Sequence, residues 1–178
     1  METLAANLPL VLFAQGDREA FEFLFREHQR AVYRWILRIV RDPAAAEDLT
    51  IEAFWRVYKA HGHFDPSRSF EAWVRRIATN VAIAHLKRQP RATVELTEVV
   101  APVRGDAAVE RDQRERIRAA VASLPVKLRV PAMLALIEEC PQKQIAEALG
   151  ISEAAVKSRV FRASKLLREK LARMGVRP

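Results

Sequence analysis

Apolar side chains recur at three- and four-residue steps along most of this chain, and this spacing restricts the fold more than any other feature. From Phe21 to Ile39 it predicts one long amphipathic helix with Asp17 as its N-cap. Asp42 followed by Pro43 predicts the start of the next helix, because proline is well tolerated at the first helical position. No stretch keeps the alternation of a half-buried strand, so we predict an all-α protein.

A change of composition divides the chain into two parts. Ser69 is expected to cap a third helix, which Pro90 ends. Residues 90–110 then combine two prolines and a glycine with no helical period. We therefore predict two small helical domains, residues 1–90 and 111–178, joined by a flexible linker over residues 91–110.

The second part contains shorter helical segments. Helical periodicity runs from about residue 106 to 124 and again from about 126 to 138. Pro131 lies inside the second of these segments and must either kink that helix or mark its first turn. A short helix, Gln142 to Leu149, meets Gly150, and Ser152 is expected to cap a long basic helix that ends near Met174.

Charge and cysteine content narrow the possible partners and the compartment. Of the net charge of +8, the excess lies in residues 111–178, which hold 15 Lys and Arg against 7 Asp and Glu. This imbalance suggests a polyanion, either nucleic acid or an anionic membrane surface. The single cysteine, Cys140, excludes an intramolecular disulfide and a cysteine zinc cluster, which fits a reducing compartment. The apolar run from Leu8 to Ala14 is too short to span a membrane and lacks a basic leader, so we expect a cytoplasmic protein without membrane insertion.

Residues 142–167 have the pattern of a helix-turn-helix. Ala146 is small enough for two helices to cross, Gly150 can adopt the positive φ of the turn, and Val156 anchors the second helix. The second helix is basic, with seven Lys and Arg between residues 157 and 173 against one acidic residue. Such a helix suits the major groove of DNA, although a basic helix can also be only a solvated surface. The residues predicted to contact DNA are Ser152, Ala154, Ala155, Lys157, Ser158, Arg159, Arg162 and Lys165.

This segment resembles the C-terminal promoter-binding domain of the extracytoplasmic-function (ECF) sigma factors. The resemblance rests on three motifs: Leu-Pro-x-x-x-Arg at Leu124 to Arg129, Ile-Ala-x-x-Leu-Gly-Ile-Ser at Ile145 to Ser152, and Val-Lys-Ser-Arg at Val156 to Arg159. It implies that this domain reads the −35 promoter element and contacts the flap of the RNA polymerase β subunit.

The N-terminal half resembles the same family. Ala46 to Tyr58 is similar to the helix that docks on the β′ clamp helices of RNA polymerase, with matches at Asp48, Leu49, Glu52 and Phe54. Ser69 to Arg88 is similar to the segment that recognises and opens the −10 element. With the preceding loop, it gives these candidate −10 residues: His61, His63, Arg75, Arg76, Asn80, His85, Lys87 and Arg88. Arg91 could extend the same basic track. Phe70 and Trp73 lie on the apolar stripe and are expected in the core rather than stacked on bases.

Taken over both halves, the resemblance implies an initiation subunit of RNA polymerase that binds promoter DNA, is not an enzyme and has an anti-sigma factor as a further partner. Several positions depart from the family pattern. Ala84 replaces a common Asp, and Ala132 replaces a large apolar residue behind Pro131. Glu139-Cys140-Pro141 replaces the usual Gly-apolar-Ser, so we expect the turn before the helix-turn-helix to be built differently.

Two other functions remain open at this point. A helix-turn-helix regulator that binds duplex DNA alone would explain residues 120–173 but not the N-terminal motifs. A sigma mimic that sequesters an anti-sigma factor would keep the fold without the DNA contacts. The four histidines lack a neighbouring cluster of ligands, and no catalytic or phosphate-binding motif occurs, so we predict neither a metal site nor a cofactor.

Overall fold

The computed structural model describes residues 2–88 and 116–175, with side chains from residue 8 onwards. Within these ranges the chain is helical and contains no strand, which confirms the prediction of an all-α fold. The predicted linker, residues 91–110, and Arg91 lie outside the described residues. The helices are α1 (Glu2–Ala14), α2 (Arg18–Val40), α3 (Pro43–Lys59), α4 (Phe70–Arg88), α5 (116–122), α6 (Val126–Leu136), α7 (Gln142–Leu149) and α8 (Glu153–Arg173).

The helices begin where the capping residues predict. Each cap accepts a hydrogen bond from the backbone N–H three residues later, which satisfies one of the free amides of the first turn. The bonds run from Ala20 to Asp17 (2.7 Å), from Ala45 to Asp42 (3.1 Å), from Ala72 to Ser69 (3.2 Å) and from Ala155 to Ser152 (3.2 Å).

Helices α2, α3 and α4 pack against one another and form the N-terminal group. A buried polar bridge crosses the α2–α4 interface. The indole Nε1–H of Trp35 donates to Thr79 Oγ1 at 2.8 Å, and the Thr79 hydroxyl donates to the Arg75 carbonyl at 2.7 Å. This bridge leaves the indole N–H of a buried tryptophan satisfied.

Helix α1 is anchored by one aromatic side chain. The apolar run from Leu8 to Ala14, expected only to be too short for a membrane span, forms the second half of α1. Phe13 is fully buried, with ring centroids of its neighbours at 5.5–6.4 Å. These neighbours are Phe21, His61, Phe64, Phe70 and Trp73.

The C-terminal group consists of α5 to α8, and α6 packs along α8. Pro131 is buried in the second turn of α6, so it does not mark the first turn of that helix. Arg129 is buried as well, and its Nη1 donates to the Ala122 carbonyl at the end of α5, at 3.1 Å. Burial lowers the pKa of this guanidinium. The spacing of the Leu-Pro-x-x-x-Arg motif therefore has a structural role here, because the arginine caps the preceding helix.

The turn between α6 and α7 differs from our expectation. We expected the loss of glycine at position 139 to change how this turn is built. Instead, Glu139 itself adopts a positive φ of 50°, and the Cys140 N–H donates to the Leu134 carbonyl at 2.8 Å. Pro141 precedes α7 without a side-chain cap, as the missing serine predicts.

The two groups of helices are in contact. Helix α7 packs on α4, and α6 touches α2 and α4. Apolar residues of the C-terminal group belong to the same buried cluster as the core of the N-terminal group: Val130, Leu134, Cys140, Ile145, Ala146, Ala148 and Val156.

Candidate nucleic-acid and polymerase interfaces

Helices α7 and α8 form the helix-turn-helix that the sequence predicts. Gly150 adopts φ +63°, and the Ile151 N–H donates to the Ala146 carbonyl at 3.0 Å, which closes the turn. Ile145 and Val156 are fully buried at the crossing of the two helices. Because this small core fixes the angle of α8, the outer face of α8 is presented as a rigid surface.

Most of the predicted −35 residues lie on the outer face of α8. Ala155 and Arg159 are half-buried, and Arg162 donates from Nε to the Ser158 carbonyl at 3.3 Å. The remaining candidates are exposed: Ser152, Ala154, Lys157, Ser158, Arg162 and Lys165. Sequence reasoning missed Phe161, which is 71% exposed although large and apolar. Its position outside the inward stripe of α8 was the available indication.

The loop between α3 and α4 is held by local polar contacts. His61–His63 forms a short 3₁₀ turn. Asp65 Oδ1 then accepts from the Ser67 N–H at 2.9 Å and from the Ser67 hydroxyl at 2.7 Å. These hydrogen bonds from Ser67 lower the pKa of the Asp65 carboxyl. His61 packs edge-on against Phe13 and Tyr58, whereas His63 is exposed.

The predicted −10 residues on helix α4 lie on different faces of the helix. Arg76, Asn80 and Lys87 are exposed and share one helical face, because positions 4 and 11 residues apart nearly coincide around the axis. Arg75 is instead engaged within the protein, paired with Glu71 and placed over the Trp35 ring at 5.1 Å. Arg88 is exposed on an adjacent face and His85 is half-buried.

The aromatic residues that precede this face belong to the core, as predicted. Phe70 is buried, and Trp73 is half-buried against Phe64 with ring centroids 5.0 Å apart. Trp73 nevertheless lines a cleft of about 840 Å³ between the loop, α4 and the helix-turn-helix.

On α3, the residues chosen from sequence fall on two different sides of the helix. Leu49 and Phe54 are buried in the core, 5% and 2% exposed, so in this conformation they support the helix and cannot touch a partner. Asp48 is exposed and Glu52 is half-buried beside Arg56, to which it is paired at 2.5 Å.

Sequence reasoning missed two exposed apolar residues on the same side of α3 as these two acids. Ile51 and Trp55 are 67% and 55% exposed, and Lys59 Nζ lies 4.8 Å from the Trp55 ring. With Asp48 and Glu52 they occupy one face at three- and four-residue steps, hereafter the α3 face. Large apolar residues on the polar side of an amphipathic helix were the available indication.

Comparison with known proteins identifies the family. Residues 24–92 match the family model Sigma-70 region 2, and residues 114–167 match Sigma-70, region 4. The ECF RNA polymerase sigma factor SigE of Mycolicibacterium smegmatis is 32% identical, over 92% of this chain and 67% of the relative. SigW of Bacillus subtilis, also an ECF RNA polymerase sigma factor, is 30% identical over 88% and 91%. The chain belongs to the ECF sigma factors of the sigma-70 family.

Solved structures share the fold of this sigma factor. CnrH, in complex with the cytosolic domain of CnrY, superposes with a TM-score of 0.57 at 23% identity, over 93% of this chain and 96% of that one. The sigma factor RpoE from Bartonella quintana, in complex with the anti-sigma factor NepR, gives 0.52 at 18% identity, over 85% and 96%.

As a sigma factor, the chain is an RNA polymerase subunit that directs promoter recognition and transcription initiation. The match to region 2 removes the alternative of a helix-turn-helix regulator acting alone, because that regulator would have no use for residues 24–92. Among the described helices, none is long and apolar enough to cross a membrane.

Proposed function

We propose that this sigma factor divides its work among three surfaces. The outer face of α8 reads the −35 element, and the face of α4 with Arg76, Asn80 and Lys87, together with the loop at residues 61–69, captures the melted −10 strand. The α3 face docks on the β′ clamp helices. The observation that carries this proposal is that each predicted motif has an exposed face on a different rigid helix.

The chemistry of each surface fits its proposed partner. Exposed Lys and Arg on α8 suit phosphates and the acceptor edges of guanine in the major groove. An amide and basic side chains on one face of α4 suit the bases and backbone of a single strand. The apolar centre of the α3 face, rimmed by Asp48 and Glu52, has the arrangement of a protein-docking site.

We propose two further protein partners for the chain. Contact of the C-terminal group with the β flap is implied by the family. The two structural neighbours are complexes with CnrY and with the anti-sigma factor NepR, and we propose that this chain likewise binds an anti-sigma factor. All of these roles are binding roles, so we propose that the protein has no enzymatic activity of its own.

Run-off transcription from a promoter library, with core RNA polymerase and with or without the sigma factor, tests the proposal. We expect start sites that require the chain and share −35 and −10 elements. Arg159→Ala should change the preferred −35 bases, Asn80→Ala the −10 bases, and Trp55→Ala should weaken polymerase binding without changing base preference.

Arg173→Ala at the far end of α8 is the control for Arg159→Ala, since it removes the same charge away from the N-terminal turns of α8. A uniform loss across all promoters for Arg159→Ala would reassign that residue to phosphate contact. Failure to transcribe any promoter, with polymerase binding intact, would instead favour the sigma mimic.

A further inference from the structure

An ion-pair cluster, formed by residues far apart in sequence, joins the two groups of helices. Glu138, in the turn after α6, forms an ion pair with Arg38 Nε at 3.3 Å and accepts a hydrogen bond from Arg41 Nη2, both at the end of α2. The side chains of Arg41 and Glu138 are only 15% and 18% exposed. Partial burial reduces screening by solvent, so this pair contributes more than an exposed one.

Unfavourable backbone geometry lies on both sides of this cluster. Arg41 (φ +61°) and Glu139 (φ +50°) are the non-glycine residues of positive φ among the described residues. A non-glycine residue in this region is strained, and the strain persists where surrounding contacts enforce it. Arg41 ends α2 in this geometry, with its N–H donating to the Leu37 carbonyl at 2.9 Å, and Glu139 directly follows Glu138, the partner of Arg41.

Buried apolar side chains also contribute to the contact between the two groups of helices. Cys140 is buried with Sγ 3.8 Å from Arg38 Nη1, and burial raises the pKa of its thiol. Leu134 and Ile145 are fully buried in the cluster that also contains the α2 and α4 cores. Cys140, in the segment where this chain departs from the family pattern, therefore lies in the interface between the two groups.

The same contact brings the two proposed DNA-reading surfaces together. A Cβ built on Gly150, in the helix-turn-helix, would lie 2.9 Å from Arg76 Nη2 on α4. His63 and Arg68 of the loop line one wall of the 840 Å³ cleft, and Glu147 and Glu153 line the other. The −10 surface and the inner side of the helix-turn-helix thus border a single cleft.

Promoter geometry is incompatible with this arrangement. The −35 and −10 elements are about 25 base pairs apart, or about 85 Å at 3.4 Å per base pair. While the helix-turn-helix stays packed on α4, the two surfaces cannot contact both elements at once. The helix-turn-helix must therefore leave α4 before the promoter is bound.

We propose that Arg38, Arg41 and Glu138 form a latch that holds the free sigma factor in a closed state, and that docking on core RNA polymerase opens it. This inference rests on the proposed assignment of the −35, −10 and docking surfaces. The latch lies next to the docking helix in the chain. Arg41 immediately precedes Asp42, the N-cap of α3, and α3 carries the docking face. A partner that reorients α3 acts directly on the latch.

Small-angle X-ray scattering of the full chain tests the latch without any DNA. Glu138→Lys places a third cation beside Arg38 and Arg41, and we expect the radius of gyration to increase by several ångströms. Glu139→Lys is the matched control, because it makes the same charge change one residue away at an exposed position. The triple variant Arg38→Glu, Arg41→Glu, Glu138→Arg should restore the compact dimensions.

Binding to core RNA polymerase gives the second measurement. If docking must open the latch, part of the binding free energy of the closed protein is spent on opening. Glu138→Lys is already open, so it should bind core enzyme about 3- to 10-fold more tightly than Glu139→Lys. Far-UV circular dichroism verifies that each variant is folded.

The latch is overturned if folded Glu138→Lys remains as compact as Glu139→Lys, or if the charge-swapped variant stays expanded. Unchanged polymerase affinity in an expanded variant overturns the coupling to docking. Failure of the wild-type chain to transcribe any promoter counts against the proposed function instead, since the scattering result does not depend on it.

Discussion

At the scale of single residues, buried polar groups fix how the helices are oriented. Trp35 and Thr79 are both buried, and their hydrogen bond is the polar contact that joins α2 to α4 in the core. Removing the acceptor would leave the indole N–H without a partner in a region that water does not reach.

We therefore expect Thr79→Val to lower the free energy of unfolding by about 1–3 kcal/mol. Thr50→Val is the matched control, because the buried Thr50 hydroxyl bonds only to the Ala46 carbonyl of its own helix. Removing the Thr50 hydroxyl leaves no buried N–H or O–H donor without an acceptor, so Thr50→Val should lower the free energy of unfolding by less. Urea unfolding of the two variants measures the difference, and equal losses would show that the Trp35 bond has no special weight.

His28 gives the protein a pH dependence of known sign. Burial against Phe70 lowers the pKa of His28 below its usual value, and nearby Glu71 and Glu27 only partly oppose this. As pH falls below about 6.5, the unfolded chain binds a proton at His28 that the folded chain resists. The contribution of His28 to the free energy of unfolding is therefore fully present above that pH and is lost progressively below it.

We expect this decrease between pH 7 and pH 5.5 to be smaller in His28→Gln than in the wild type. His63→Gln, which changes an exposed histidine, should retain the wild-type dependence. Urea unfolding at the two pH values provides the comparison. A wild-type pH dependence in His28→Gln would assign the effect to other groups.

At the scale of elements, Phe13 is the fully buried side chain that ties helix α1 to the core. Phe13 inserts into the aromatic cluster under the loop at residues 61–69, so it positions that loop as well as holding α1. Phe13→Ala should destabilise the protein by about 3–5 kcal/mol, the usual cost of deleting a buried phenylalanine.

Phe23→Ala is the matched control, since Phe23 on α2 is 51% exposed and its loss should change stability by no more than about 0.5 kcal/mol. Thermal unfolding measures both. If Phe13→Ala were as mild as Phe23→Ala, α1 would not contribute to the folded core.

Local rules predict the elements better than they predict which face of an element meets a partner. Asp17, Asp42, Ser69 and Ser152 mark helix starts because a cap needs only its own next turn. Exposure depends on packing between helices, so motif matching alone included the buried Phe54 and omitted its exposed neighbour Trp55. The positive φ of Glu139 was equally inaccessible, since it lies in a turn whose flanking residues, Glu138 and Cys140, contact arginines at the end of α2.

At the scale of the whole molecule, the shared core couples the stabilities of the two groups. Ile145 on α7 is buried in the cluster that contains the cores of α2 and α4. We expect Ile145→Ala to lower the free energy of unfolding by about 2–5 kcal/mol. Because the core is shared, amide hydrogen exchange should become faster in α2 and α4 as well as in α7.

Ile137→Ala is the control for this coupling, because Ile137 is in the same group but exposed. Exchange confined to α7 and α8 in Ile145→Ala would mean that the groups unfold independently. The closed arrangement would then contribute little to the stability of the N-terminal group.

The apolar residues between the two groups also bear on the lifetime of the unbound protein. Leu134 and Ile145 are covered in the closed state, and opening away from a partner would present them to water together with the exposed Leu136 and Ile137. Exposed apolar surface of this kind promotes aggregation and recognition by chaperones and proteases. An open chain without polymerase would therefore be short-lived, and closure would determine how large a reserve of sigma factor a cell can hold.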